Sequence, residues 1–90
     1  MKKFIIEREV PGASKLSAEE LQAIAQTSNA VLDGMDGRYH WAQSFVAGDK
    51  IYCIHVAEDA ETILEHARRG GFPANLVAEV TAVIDPTTAG

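Results

Sequence analysis

Two runs rich in aromatic and β-branched residues, 39–47 (YHWAQSFVA) and 51–57 (IYCIHVA), flank the pair Gly48-Asp49. Strand-forming segments joined by so short a turn pair as an antiparallel hairpin. The rest of the chain is arranged around that hairpin. Residues 2–9 (KKFIIERE) read as a strand ended by Pro11-Gly12. Ser17-Ala18-Glu19-Glu20 fits a capping box, in which Ser17 caps the first turn and Glu20 reaches back. Leu21, Ile24, Ala25, Ser28, Val31 and Leu32 then recur on one helical face, with Gly34 as a stop. Asp33 to Gly37 reads as a turn.

Beyond the hairpin, Asp59 caps a second helix whose expected inner face is Ala60, Ile63, Leu64 and Ala67. Glu65 stands at pairing distance from Arg68 and Arg69, cations that suit a helix C-terminus, and Gly70-Gly71 ends the element. Residues 76–84 (LVAEVTAVI) read as a last strand stopped by Asp85-Pro86, with a loose tail from Thr87 to Gly90. The order β-α-β-β-α-β is the split βαβ arrangement. Right-handed crossovers place both helices on one side of the sheet. The expected fold is therefore α+β and ferredoxin-like: one domain over residues 1–90, a four-stranded antiparallel sheet with two helices on one face.

Composition narrows the function classes. A net charge of −5 with scattered Lys and Arg argues against nucleic acid as the partner. The single cysteine, Cys53, rules out an intrachain disulfide and a CxxC site. No apolar run is long enough to span a membrane. Phe4-Ile5-Ile6 after Lys2-Lys3 is too short for a signal-peptide core, so a cytoplasmic location is expected.

Strand alternation divides the side chains into two sets. Phe4, Ile6, Ala42, Ser44, Val46, Tyr52, Ile54, Val56, Val80, Ala82 and Ile84 are assigned to the helix side. Ile5, Glu7, Glu9, Trp41, Gln43, Phe45, Ile51, Cys53, His55, Glu79, Thr81 and Val83 are then left on the open side. Large apolar groups there call for a cover, and a second identical sheet would supply one in a two-fold homodimer. Trp41, Gln43 and Phe45 are the expected lining of the cavity or dimer interface so formed. Cys53 and His55, two apart on one strand, share a face. Thiolate and imidazole suit nickel, zinc and copper, and Glu7 adds a carboxylate. The bland alternative is a buried thiol beside an interface histidine. His66, near the end of the second helix, reads as solvent-facing, or else as a surface metal ligand that lacks an i, i+4 partner, since Thr62 and Gly70 flank it at that spacing. Ser44 falls on the opposite parity from His55, so no Ser–His pair is expected.

The segments FIIEREVPGA, WAQSFVAGDKIYCIHVA and EHARRGGFPANLVAEVTAVIDPTTA resemble a bacterial family of small proteins, long catalogued as a domain of unknown function, with a nickel-responsive, nickel-binding member. The resemblance spans nearly the whole chain and is most specific from Glu65 to Pro73 and at Ile84-Asp85-Pro86. It implies a ferredoxin-like fold, a dimeric α/β barrel and a nickel cofactor. It carries over the positions Glu7, Trp41, Cys53 and His66 with their roles open. Three functions compete: a homodimer binding nickel through Cys53, His55, Glu7 and His66; a cofactor-free oxygenase or isomerase using His55 as acid/base with Glu7; and a passive interaction module.

Overall fold

The computed structural model describes residues 1–35 and 39–90. The expected turn over 33–37 therefore lies partly outside the described residues. Strands β1 (Lys2–Glu9), β2 (Tyr39–Ala47), β3 (Lys50–Ala57) and β4 (Leu76–Glu79) alternate with helices α1 (Ala18–Asp33) and α2 (Ala60–Gly70). The sheet order is β2-β3-β1-β4, antiparallel throughout, which is the ferredoxin-like arrangement that the element order predicts.

Local chemistry sets the boundaries. Glu20 N–H donates to Ser17 Oγ at 3.1 Å while Ser17 N–H donates to Glu20 Oε1 at 3.0 Å, completing the capping box. Asp59 Oδ1 accepts from Thr62 N–H at 2.9 Å at the head of α2. Gly71 closes α2 at φ +69, a left-handed conformation that favours glycine. Glu65 pairs with both Arg68 and Arg69, as their spacing predicts. The buried core lies between the sheet and α2: Phe4, Ile6, Tyr39, Ile51, Cys53, Ala57 and Ile63 pack together with Ala13. Ile6 and Ile63 are wholly buried, each worth roughly 1.5–3 kcal/mol in apolar area removed from water.

The structure departs from the sequence reading in four places. First, the last strand is four residues long, not nine. Glu79 opposes Phe4, so in the same register Thr81 falls opposite Lys2 and Ala82 opposite Met1, and Val83 and Ile84 run past the start of β1. After Val80 N–H donates to Lys3 O at 2.8 Å, the ladder ends. Second, the tail is ordered as a short 3-10 turn, Pro86–Ala89, capped by Asp85.

Third, β3 faces the other way. Ile51, Cys53, His55 and Ala57 are buried under the helices, whereas Tyr52, Ile54 and Val56 lie on the open side. The hairpin register forces this. Ala47 opposes Lys50, so Val46 opposes Ile51 and Ser44 opposes Cys53, and opposed residues share a face. In β2 a bulge at Ala42, between Trp41 and Gln43, splits the strand. Gln43 and Phe45 stay on the open face, but Trp41 moves to the helix side, opposite His55. Glu79 likewise shares Phe4's face by register.

Fourth, α2 is rolled relative to the expected face. Ile63, His66 and Ala67 are buried and Leu64 is 49% exposed. Positions 63, 66, 67 and 70 form one i, i+3, i+4, i+7 stripe, and 64 lies on its flank. His66 is therefore an interior residue.

Candidate functional site

The two helices lie on the sheet unequally. α2 buries three side chains, whereas α1 buries only Ser28. The apolar stripe of α1 faces the sheet as its periodicity predicts, yet Ile24 and Ala25 are only half-buried and Leu21 is at the surface. Between α1 and the strands lies a cavity of about 370 Å³. Leu21, Ile24, Ala25 and Ser28 form one wall; Val10, Trp41, Val46 and Ile51 belong to the sheet side; Phe72 and Pro73 close it beyond α2.

Polar groups converge on this largely apolar space. Arg8, on β1, is 4% exposed, and its register with Ile51 aims it at the helix side. Its Nε–H donates to Cys53 Sγ at 3.3 Å and its Nη1–H to Pro73 O at 2.6 Å. The guanidinium carbon lies 5.6 Å from the centre of the Phe72 ring. Trp41 Nε1–H donates to Ser44 Oγ at 2.9 Å, and Ser44 Oγ–H donates to Cys53 Sγ at 2.9 Å. Cys53 is thus held from two sides by donors, and Ser44 is its neighbour across the hairpin.

Beside this chain sits an aromatic cluster. The His55 and His66 ring centres are 5.3 Å apart, and Tyr39 lies 5.0 Å from His55 and 5.2 Å from His66. Phe72 stacks on His66 at 5.4 Å. Burial, with His66 and the Arg8 cation nearby, pushes the His55 pKa down to about 3. Burial first and Arg8 second push His66 down to about 4. Both rings are therefore neutral at pH 7. Burial raises the Tyr39 hydroxyl well above its ordinary value, so it keeps its proton, and it shares a hydrogen bond with His55 Nδ1. A neutral imidazole that accepts at Nδ1 carries its own proton at Nε2. That Nε2–H has no partner among the described residues. His66 Nε2 is bonded to Ser28 Oγ at 3.0 Å, and its buried Nδ1 has no partner among the described residues.

The structure thus brings Cys53, His55, His66 and Trp41 together on the cavity and separates them from Glu7, Gln43 and Phe45, which lie on the opposite face. Glu7 is instead paired with Lys50 at 3.2 Å. A His55–Glu7 acid/base pair is not formed. Sequence reasoning missed Arg8. A charged residue in phase with Phe4 and Ile6 was the available signal, because alternation puts it on the buried side.

Thiol and imidazole are suitable donors for nickel. Among the described residues, however, no group of three or more His, Cys, Asp or Glu comes together to hold a metal ion. His55 Nδ1 and His66 Nε2 are already engaged, and a cation at Cys53 would meet the guanidinium that donates to the same sulfur. As arranged within one chain, these residues do not fit nickel. No helix among the described residues is long and apolar enough to cross a membrane.

Comparison with known proteins matches residues 4–80 to the family described as nickel responsive protein SCO4226-like. The crystal structure of SCO4226 from Streptomyces coelicolor A3(2) superimposes with a TM-score of 0.74 at 25% identity, over 91% of this chain and 99% of that one. No curated protein matches the chain.

Proposed function

The chain belongs to the family of nickel-responsive SCO4226-like proteins, and from that premise we propose that it is a binding domain whose ligand, a small and mostly apolar molecule, occupies the cavity under α1. One observation carries the reading: an apolar space of about 370 Å³ on which Arg8, His55 and His66 converge. Apolar walls with a few fixed polar groups are the usual make-up of a small-molecule site. Trp41, the only tryptophan, stands on the wall and reports occupancy by fluorescence. Titration with single-ring compounds is expected to give saturable changes that Ala25→Leu weakens by at least about tenfold, by filling the space. Unsaturable signals for every compound would remove the reading.

A second reading keeps nickel as a ligand, on the strength of the family's description. In it, the metal is bound between two copies joined through the open sheet face. Glu7 lies on that face, and exposed Phe45, Leu76, Val83 and Ile84 supply apolar surface for a homodimer. Calorimetric titration of chelator-stripped protein with nickel, combined with sedimentation, tests it. Saturation at a whole-number stoichiometry per dimer, lost in Glu7→Gln, supports it. A monomer with no saturable nickel heat eliminates it.

A further inference from the structure

Resting on the reading of the cavity as a ligand site, we propose that its ligand is a compact apolar carboxylate, bound with its carboxylate on Arg8 and His55 and its hydrocarbon part under α1. Arg8 is a buried cation without a paired carboxylate among the described residues. Around it stand the Cys53 sulfur, the Pro73 carbonyl and the Phe72 ring, none of them a carboxylate, and its Nη2 end has no partner among the described residues. A buried charge left in this way is costly, and an anion that enters the cavity removes the cost. Among the described residues no Asp or Glu lines the cavity, so none of them competes on its wall for the guanidinium. Guanidinium binds carboxylate through parallel N–H donors, a match that a neutral ligand cannot reproduce.

His55 adds a second donor. In the tautomer that accepts from Tyr39 at Nδ1, its unpartnered Nε2–H is offered to the same space. One cation and two neutral imidazoles leave the cavity short of one negative charge. That selects a monoanion over a dianion. The Ser28 and Ser44 hydroxyls on the wall are already engaged with His66, Trp41 and Cys53, and Leu21, Ile24, Ala25 and Val46 are apolar, so the rest of the ligand is hydrocarbon.

The test pairs acids with their isosteric amides. Benzoate and benzamide, and hexanoate and hexanamide, are titrated into the protein at about pH 7.5, followed by Trp41 fluorescence and calorimetry. The acids are expected to bind at least about tenfold more tightly than the amides, the advantage of a charge-assisted contact. In Arg8→Met the preference should disappear while the amides still bind. Should Arg8→Met not fold, the acid-to-amide ratio on the unaltered protein, with its loss in His55→Phe, decides the matter. Amides binding as tightly as acids would overturn the carboxylate proposal and leave the cavity reading intact. No binding by either series would overturn both.

Discussion

The two helices of this fold have similar tasks and different structures. α2 lies tightly on the sheet through Ile63, His66 and Ala67, and its boundaries are set by Asp59 at the head and left-handed Gly71 at the tail. α1 is longer and has a complete capping box, yet buries only Ser28. The difference follows from what each helix meets. α2 faces Ile6, Ala57 and the rings of Tyr39 and Phe72, which fill the space between. α1 faces the chain of Arg8, Cys53 and Ser44, polar groups that bond to one another and leave a void above them. Tertiary packing therefore holds α2, and local signals carry more of the weight in α1. Among the described residues two hydrogen bonds link them: the buried His66–Ser28 contact and, at the surface, Arg69 Nη1–H donating to Gly34 O at the end of α1.

The largest expected effect tests the α2 side through pH. His55 and His66 have folded pKa values near 3 and 4, below the ordinary 6.5. The unfolded chain thus binds more protons between these limits, and folding stability is full above pH 6.5 and lost as pH falls. Denaturant unfolding should show a loss of roughly 3 kcal/mol or more by pH 4. His66→Gln should reduce that slope, even if it lowers stability at pH 7. An unchanged slope would show that the rings are not buried neutral under α2.

Truncation comes next. Ile63→Ala in α2 should cost about 3 kcal/mol in urea unfolding, whereas Ile24→Ala in α1 should cost under about 1 kcal/mol, because it borders space that already exists. Equal costs would erase the contrast. Enlargement sharpens it in the opposite sense. Ala67→Leu should destabilise by about 1–3 kcal/mol, while Ala25→Leu should be close to neutral. The smallest effect is local: Ser17→Ala should cost about 1 kcal/mol and speed amide exchange within α1, leaving exchange in α2 unchanged.

Much of this comparison was legible in the residues. The Ser17 capping box, the Asp59 cap, the hairpin at Gly48-Asp49, the Glu65 pairs and the element order all rest on contacts within a few positions, and all are present. The faces of β3 were harder, because both of its alternating sets are apolar enough to be buried. The two-residue loop held the answer: with Val46 opposite Ile51, Cys53 must lie with Ser44. The position of Trp41 had no such signal, since a bulge at Ala42 has no mark in its own residue type. The roll of α2 depended on which flank found room, and the pocket for His66 is built by Ser28, Tyr39 and Phe72 from three other parts of the chain.

The sequence by itself determined the order, type and ends of the main elements, the antiparallel pairing and the placement of both helices on one side, because those depend on periodicity, caps and chain handedness. The tertiary structure alone decided that Cys53, His55 and His66 meet beneath the helices, that Glu7 stands apart on the opposite face, and that Arg8 is enclosed with no carboxylate beside it among the described residues. Register, bulge and helix roll are choices between near-equal local alternatives. They are settled only when all the layers pack at once and each buried polar group must find a partner.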